Sequence, residues 1–313
     1  MRDLAALALA LVATPAGAQT LVPPAATASE TTPADELAML IALGDADDRM
    51  TVPVSIGGSG PYDFIVDTGS ERTVISRQLA KVLDLQAGPQ VRITAMTGTS
   101  MAGTVHVPAL NVSKLRHEDV TAPALEGFNI GAPGMLGLDV LQGRSVIIDF
   151  DRNEMMVTRP GRSDGFSSSG GDIVVYAKSA YGQLIVTNAR YHGKRIAVVI
   201  DTGSPLTVGN SALRAIMRQP PHPLGVISIL SATGGYLYAD YTTVDQIEIG
   251  GIAFRNVGVA FADAAPFARF GLSDTPALLL GMDSLRLFRR VKIDFKHRSI
   301  HFDLPRTPGY RNW

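Results

Sequence analysis

Two four-residue runs, Asp67-Thr68-Gly69-Ser70 and Asp201-Thr202-Gly203-Ser204, carry the residue types best suited to chemistry in this chain. A single Asp-Thr-Gly marks a turn or a helix cap. Two such carboxylates brought within about 3 Å behave differently: they cannot both ionise, so they share a proton and titrate in two coupled steps. The pair then holds a base and an acid side by side. The ionised member can take a proton from water, which attacks a peptide carbonyl, while the protonated member donates a hydrogen bond to the developing oxyanion. Gly69 and Gly203 are expected to let the backbone approach the carboxylates closely and to supply positive φ where a tight loop requires it. The Ser70 and Ser204 hydroxyls are expected to donate to the ionised carboxylates and lower their pKa values, which predicts an acidic optimum.

The elements that must position these loops are themselves repeated. Upstream, the apolar run Met39 to Leu43, a turn at Gly44 to Asp48 and the alternating strand Met50, Val52, Val54, Ile56 have a counterpart. It runs from Ile173 to Tyr176, through a turn at Ser179 to Gly182, into a strand from Leu184 to Asn188. Second turns, Gly57 to Pro61 and His192-Gly193-Lys194, lead into Phe64-Ile65-Val66 and Val198-Val199-Ile200, so each aspartate ends a buried strand. Downstream, Thr73-Val74 and Thr207-Val208 precede short predicted helices, Gln78 to Leu83 and Ser211 to Met217. Met135-Leu136-Gly137-Leu138-Asp139 then matches Leu279-Leu280-Gly281-Met282-Asp283, and Val146 to Phe150 matches Val291 to Phe295. Final strands follow at Met155 to Thr158 and Ile300 to Phe302.

A chain of 313 residues, 46% hydrophobic and 18% charged, suits two lobes with a packed core and excludes disorder over most of its length. A net charge of −1 without a Lys/Arg run argues against a nucleic-acid partner. Met1 and Arg2, the apolar stretch Leu4 to Ala13 and the small residues Ala16-Gly17-Ala18 predict a signal peptide over 1–18, although Asp3 offsets Arg2. The stretch is shorter than the ~20 apolar residues that span a bilayer, so no stable membrane insertion is expected. The absence of cysteine excludes disulfides and a thiol nucleophile. Export to a periplasm or the extracellular space is inferred. Residues 19–35 read as a disordered leader, 36–160 as the first lobe, 161–171 as a Gly/Ser linker, 172–303 as the second lobe and 304–313 as a tail.

The two Asp-Thr-Gly-Ser runs and the apolar-apolar-Gly segments ending at Gly137 and Gly281 resemble the aspartic peptidase clan, particularly its retropepsin-like bacterial members. The resemblance covers roughly residues 36 to 303. It implies a mainly β fold of two homologous retropepsin-like β-barrel lobes with an active-site cleft between them. It further implies that Thr68 and Thr202 brace one loop against the other and that strands ending at Gly137 and Gly281 thread beside them. Flap hairpins are assigned to Thr94 to Thr104, with Gly98 and Gly103, and to Ser228 to Asp240, with Gly234, Gly235 and Tyr236. A plain surface turn is an equal alternative for each.

Other candidates read as structural. Asp139 and Asp283 lie at predicted helix starts, where a carboxylate meets the helix dipole. Asp149 and Asp294 read as outward-facing or hydrogen-bonded strand residues. The cluster Asp45, Asp47, Asp48 lacks the glycine and distal glutamate of an EF-hand loop, and His297 and His301 fall on strand-like sequence, so no metal and no cofactor are expected. Ser59 lacks the second glycine of a nucleophile elbow. The function expected is that of an aspartic endopeptidase acting on extended peptide or protein substrates, for which one chain suffices. A noncatalytic peptide-binding or regulatory module, and a narrow processing protease with one envelope target, are the alternatives.

Overall fold

Period-two burial builds the first barrel. In β1 (Thr51–Ile56) the buried Val52, Val54 and Ile56 alternate with exposed Thr51 and Pro53, so one face enters a core and the other meets solvent. β2 (Ser59–Val66) begins exposed and ends on Phe64-Ile65-Val66, buried on both faces, which delivers Asp67 from the interior. The computed structural model describes residues 49–112, 115–159, 172–217 and 224–304. The predicted signal peptide and leader, the run at Met39 to Leu43, the Asp45, Asp47, Asp48 cluster, the linker at 161–171 and the tail beyond Leu304 lie outside the described residues.

After the first Asp-Thr-Gly-Ser loop come β3 (Val74–Ser76), α1 (Arg77–Val82), β4 (Ala87–Ala95), β5 (Gly98–Val112) and β6 (Leu115–Leu125). They are followed by α2 (Gly127–Ile130), β7 (Gly134–Leu136), α3 (Leu138–Leu141), β8 (Ser145–Asp149) and β9 (Glu154–Thr158). Six strands in the order β1-β2-β7-β3-β6-β5 close into a barrel when β5 pairs back on β1 through Val54↔Val112 and Ile56↔Leu110, and β4 extends beyond β5 as a hairpin arm. Closure removes the exposed strand edges that an open sheet would leave.

The second half repeats this plan. It runs through β10 (Asp172–Tyr176), β11 (Lys178–Ala180), β12 (Gln183–Tyr191), β13 (Lys194–Ile200), β14 (Val208–Gly209) and α4 (Ser211–Ala215). Then come β15 (Gly225–Leu230), β16 (Tyr236–Ile249), β17 (Ile252–Phe261), α5 (Ala265–Arg269), β18 (Ala277–Leu280), α6 (Met282–Leu285), β19 (Arg290–Asp294) and β20 (Ser299–Asp303). The barrel order β12-β13-β18-β14-β17-β16 matches the first strand for strand and closes at Arg190↔Glu248. The short helices sit close to their predicted places, capped by the Ser76 and Asn210 side chains, which accept from the Leu79 and Leu213 N–H groups.

A five-stranded sheet, β10-β20-β19-β8-β9, ties the halves together. Its centre is the antiparallel β8–β19 pair, in which Ile147 faces Lys292, the residue at its own place in the second copy. A local two-fold axis therefore passes between them. The largest apolar cluster runs through both barrels and this sheet, from Val52 and Phe64 to Val198, Leu280 and Phe302, so the lobes share a core. Asp149 and Asp294 are buried rather than outward-facing. They accept from the backbone N–H groups of Arg152 and His297, which closes the turns after β8 and β19.

Candidate active site

Each Asp-Thr-Gly-Ser loop joins two strands, β2 to β3 or β13 to β14, and a third strand is threaded between them. β7 lies parallel to β2 and antiparallel to β3, and β18 lies likewise against β13 and β14. The Asp67 N–H donates to Leu136 O at 2.9 Å and the Asp201 N–H to Leu280 O at 3.0 Å. The threading needs glycine for space. Gly137 has an ordinary φ of −96°, but a Cβ there would lie 2.2 Å from the carbonyl carbon of Arg72, and at Gly281 2.4 Å from that of Leu206.

Asp139 and Asp283 stand in the first turns of α3 and α6, as expected, and they do more than meet a dipole. Asp139 accepts from the Thr73 N–H at 2.8 Å and hydroxyl at 2.7 Å; Asp283 accepts from the Thr207 N–H at 3.0 Å and hydroxyl at 2.6 Å. The Gly137 and Gly281 N–H groups donate to those same threonine hydroxyls, both at 3.1 Å. The far end of each loop is thereby tied to its threaded strand.

The two loops interlock across the local axis. The Thr68 N–H donates to Thr202 Oγ1 and the Thr202 N–H to Thr68 Oγ1, each at 3.1 Å. The hydroxyls donate onward, Thr68 to Ile200 O at 2.8 Å and Thr202 to Val66 O at 2.5 Å. Valine at position 202 would leave the Thr68 N–H and Val66 O buried without partners. At about 1–3 kcal/mol for each orphaned group, Thr202→Val is expected to lower unfolding stability by at least about 2 kcal/mol in a denaturant titration.

Each carboxylate sits against the glycine of the opposite loop. A Cβ on Gly69 would lie 2.7 Å from Asp201 Oδ1, and one on Gly203 2.2 Å from Asp67 Cγ. Close approach is thus the reason for glycine, whereas the positive φ also expected does not occur at either residue. Both aspartates are 8% exposed. The Gly69 N–H donates to Asp67 Oδ1 at 2.8 Å and the Gly203 N–H to Asp201 Oδ1 at 3.0 Å.

The serine hydroxyls do not donate to the carboxylates. Ser70 donates to Arg72 O at 2.8 Å and Ser204 to Leu206 O at 2.7 Å, because in so tight a loop the carbonyl two residues on is the nearer acceptor. Their backbone N–H groups act on the carboxylates instead. Burial raises the pKa of Asp67, opposed by the Gly69 N–H and then by the positive charge of Arg49. Burial and then the negative charge of Asp67 push Asp201 up to about 8. The two carboxyl groups also act on each other, lowering Asp67 and raising Asp201.

Both predicted flaps are hairpins over this pair. Ile93 to Met96 of the first and Ser228 to Leu230 of the second line, with Asp67 and Asp201, a cleft of about 250 Å³. The tips cross to the opposite lobe. Met96 packs on the apolar cluster of Val199, Leu206 and Phe267, and its carbonyl accepts from the Ala265 N–H at 3.2 Å. Ala232 packs on Ile65, Leu125 and Met135. Thr97 donates to Gly234 O at 3.3 Å, joining tip to tip, and Gly98, Gly234 and Gly235 take positive φ at the turns. Gly103 and Tyr236 are not brought to the cleft: Gly103 lines a depression beside α1, and the Tyr236 side chain is exposed.

Two residues near the aspartates were not singled out from the sequence. Arg49 lines the cleft and donates to Gly203 O at 3.3 Å and to Ile130 O. Gln183 is buried and donates to Gly69 O at 3.0 Å. They are equivalent under the repeat, 134 positions apart (183 − 49), which was the available signal. Among the described residues no group of three His, Asp or Glu side chains is placed to hold a metal ion.

No curated protein matches the chain. A comparison with protein families matches the aspartyl protease family over residues 52–140 and 187–284. Each matched stretch contains one Asp-Thr-Gly-Ser loop, its threaded strand and its hairpin, and together they make up more than half of the sequence. The chain belongs to the aspartyl protease family.

Proposed function

We propose that the protein is an aspartic endopeptidase in which Asp67 and Asp201 activate one water molecule between them. The observation that carries this reading is a pair of buried carboxylates on interlocked loops, facing a cleft roofed by two hairpins. Asp67, the ionised member, takes a proton from water as its oxygen attacks the peptide carbonyl carbon. Asp201 donates its hydrogen bond to the oxyanion of the resulting tetrahedral adduct. Collapse of the adduct breaks the C–N bond, and the proton taken up by Asp67 passes to the leaving nitrogen. The threaded strands and the threonine bridge hold both oxygens in place, so little reorganisation accompanies the reaction.

The cleft walls include Val74, Ile93, Leu125, Met135, Ile229 and Leu230, which favours apolar side chains around the scissile bond. Its volume of about 250 Å³ is below the usual range of ~300–1,000 Å³ for small-molecule sites. An extended peptide therefore enters only when the hairpin tips part. One chain supplies both aspartates, so no dimer is required, and the signal segment expected over 1–18 favours work outside the cytoplasm.

The test is incubation of the chain from Gln19 onward with an unfolded protein from acidic to alkaline pH, with and without pepstatin and beside Asp67→Asn. The singly protonated pair persists until Asp201 loses its proton at about 8. Cleavage is accordingly expected to continue to near-neutral pH and to fall above it. The serine hydroxyls, which donate to Arg72 O and Leu206 O, give no support to the acidic optimum expected from them. Cleavage that survives in Asp67→Asn, or that keeps rising above pH 9, contradicts the dyad mechanism. A folded sample that cleaves nothing favours a noncatalytic peptide binder.

A further inference from the structure

The surroundings of the two aspartates repeat almost residue for residue: Gly69 and Gly203, Thr68 and Thr202, Thr73 and Thr207, Asp139 and Asp283 make equivalent contacts. A two-fold pair of this kind gives the shared proton no reason to prefer one carboxyl group. The symmetry fails at positions 49 and 183, each standing 18 residues before an aspartate. Both side chains reach the glycine carbonyl of the opposite loop, Arg49 to Gly203 O at 3.3 Å and Gln183 to Gly69 O at 3.0 Å. That brace is common to both, while Arg49 also donates to Ile130 O and carries a positive charge.

We propose that Arg49 is a positioning residue that breaks the symmetry of the pair, holding the negative charge on Asp67 and leaving the proton on Asp201. The inference rests on the endopeptidase reading. A guanidinium stays charged at every working pH, and it stands in the wall of the same cleft as Asp67. Its positive charge favours the ionised form of Asp67, whereas the charge acting on Asp201 is that of Asp67 itself. Gln183, 1% exposed and neutral, adds no opposing cation on the other side.

The charged side chains lining the cleft are Arg49, Asp67 and Asp201. Glu71 and Arg72, whose counterparts are Pro205 and Leu206, also break the repeat, but their side chains line a separate depression, and Glu71 pairs with Arg269. Asp139 and Asp283 are taken up by Thr73 and Thr207 beneath the loops.

A fixed proton has a consequence for substrate. In a nearly two-fold cleft a peptide could lie in either direction. With the proton on Asp201, the scissile carbonyl oxygen must face Asp201 and the attacking water must face Asp67. Arg49 thereby selects one chain direction.

The test follows the aspartate carboxyl carbons by NMR as pH is varied, in the mature chain without substrate, with signals assigned through Asp67→Asn and Asp201→Asn. Arg49→Gln copies the arrangement at Gln183 and keeps a donor for Gly203 O; Arg49→Met is a second neutral variant, and Arg49→Lys keeps the charge. Loss of a neighbouring opposite charge raises a carboxyl pKa by about 1–3 units. The lower step of the pair is expected to rise by about one unit or more in the neutral variants and to stay near its original place in Arg49→Lys. The acid limb of the kcat/KM profile is expected to move with it. An unmoved lower step in the neutral variants, or an equal shift in Arg49→Lys, overturns the proposal and leaves Arg49 a brace. Failure of the wild-type chain to cleave any peptide counts against the endopeptidase reading alone, because the titration is read without substrate.

Discussion

Replacing Asp201 by Asn is expected to abolish peptide hydrolysis and at the same time to make the folded chain more stable at neutral pH. The first effect follows because an amide of the same shape can neither share the proton nor release it. General acid–base participation is worth about 10²–10⁴-fold, so kcat should fall at least about 10²-fold. The second effect follows from burial. Asp201 is pushed from 3.8 up to about 8, first by desolvation and then by the charge of Asp67. A carboxyl group whose folded pKa is raised binds its proton more tightly in the native state than in the unfolded one. Its contribution is fully present below about pH 4 and is lost as pH rises through 8. At about 1.4 kcal/mol per unit, the wild-type chain gives up on the order of 4 kcal/mol between pH 4 and pH 7. Asparagine cannot ionise and can still donate to Asp67, so its unfolding stability should vary less with pH. Denaturant titrations at pH 4 and pH 7 check this, with the difference between the proteins expected to open toward neutral pH. Parallel curves would mean that Asp201 is not held protonated by its surroundings.

The parts of this site that could be read from the sequence are those in which local chemistry repeats. Asp-Thr-Gly-Ser and the apolar-apolar-Gly segments recur in order, and alternation in Met50 to Ile56 marks a half-buried strand, so the loops and their strands were legible from the pattern, while the barrels and the threading were implied by the family resemblance. What escaped depends on distances that only folding creates. Nothing in Ser70 says whether its hydroxyl lies nearer a carboxylate or the Arg72 carbonyl. Glycine at 69 and 203 announces a tight place but not whether φ or an opposing carboxylate makes it tight. Gly103 and Tyr236 sit in the correct hairpins, yet the pleat turns Tyr236 to solvent and length carries Gly103 away from the tip. The crossing of Met96 and Ala232 to opposite lobes is a contact between distant segments with no local signature. Arg49 and Gln183 share no residue type, so only their spacing of 134 marks them as equivalent.

Gly203→Ala is the sharpest test that the interlocked loops, rather than the presence of two aspartates, make the site. The added methyl would fall 2.2 Å from Asp67 Cγ and within 2.5 Å of both its oxygens, so one of the two must move. Asp67 cannot yield by changing rotamer alone, since its Oδ1 accepts from the Gly69 N–H and its own N–H is tied to Leu136 O. The loop of Gly203 is equally held, through Thr202 to Thr68 and Val66. Misplacement of a reacting group by about 1 Å can cost ~10²-fold in rate, so activity should drop at least about 10²-fold while both carboxylates remain. Overpacking of this kind costs about 1–3 kcal/mol, a loss that a shared two-lobe core should tolerate without unfolding. Gly103→Ala supplies the contrast, because a Cβ there meets no atom within 4 Å and its φ is ordinary. That variant should keep wild-type stability within about 0.5 kcal/mol and full activity. If Gly203→Ala instead retains activity, the opposite-loop glycine is not what sets the position of Asp67, and the reacting geometry must be fixed by the threaded strands alone.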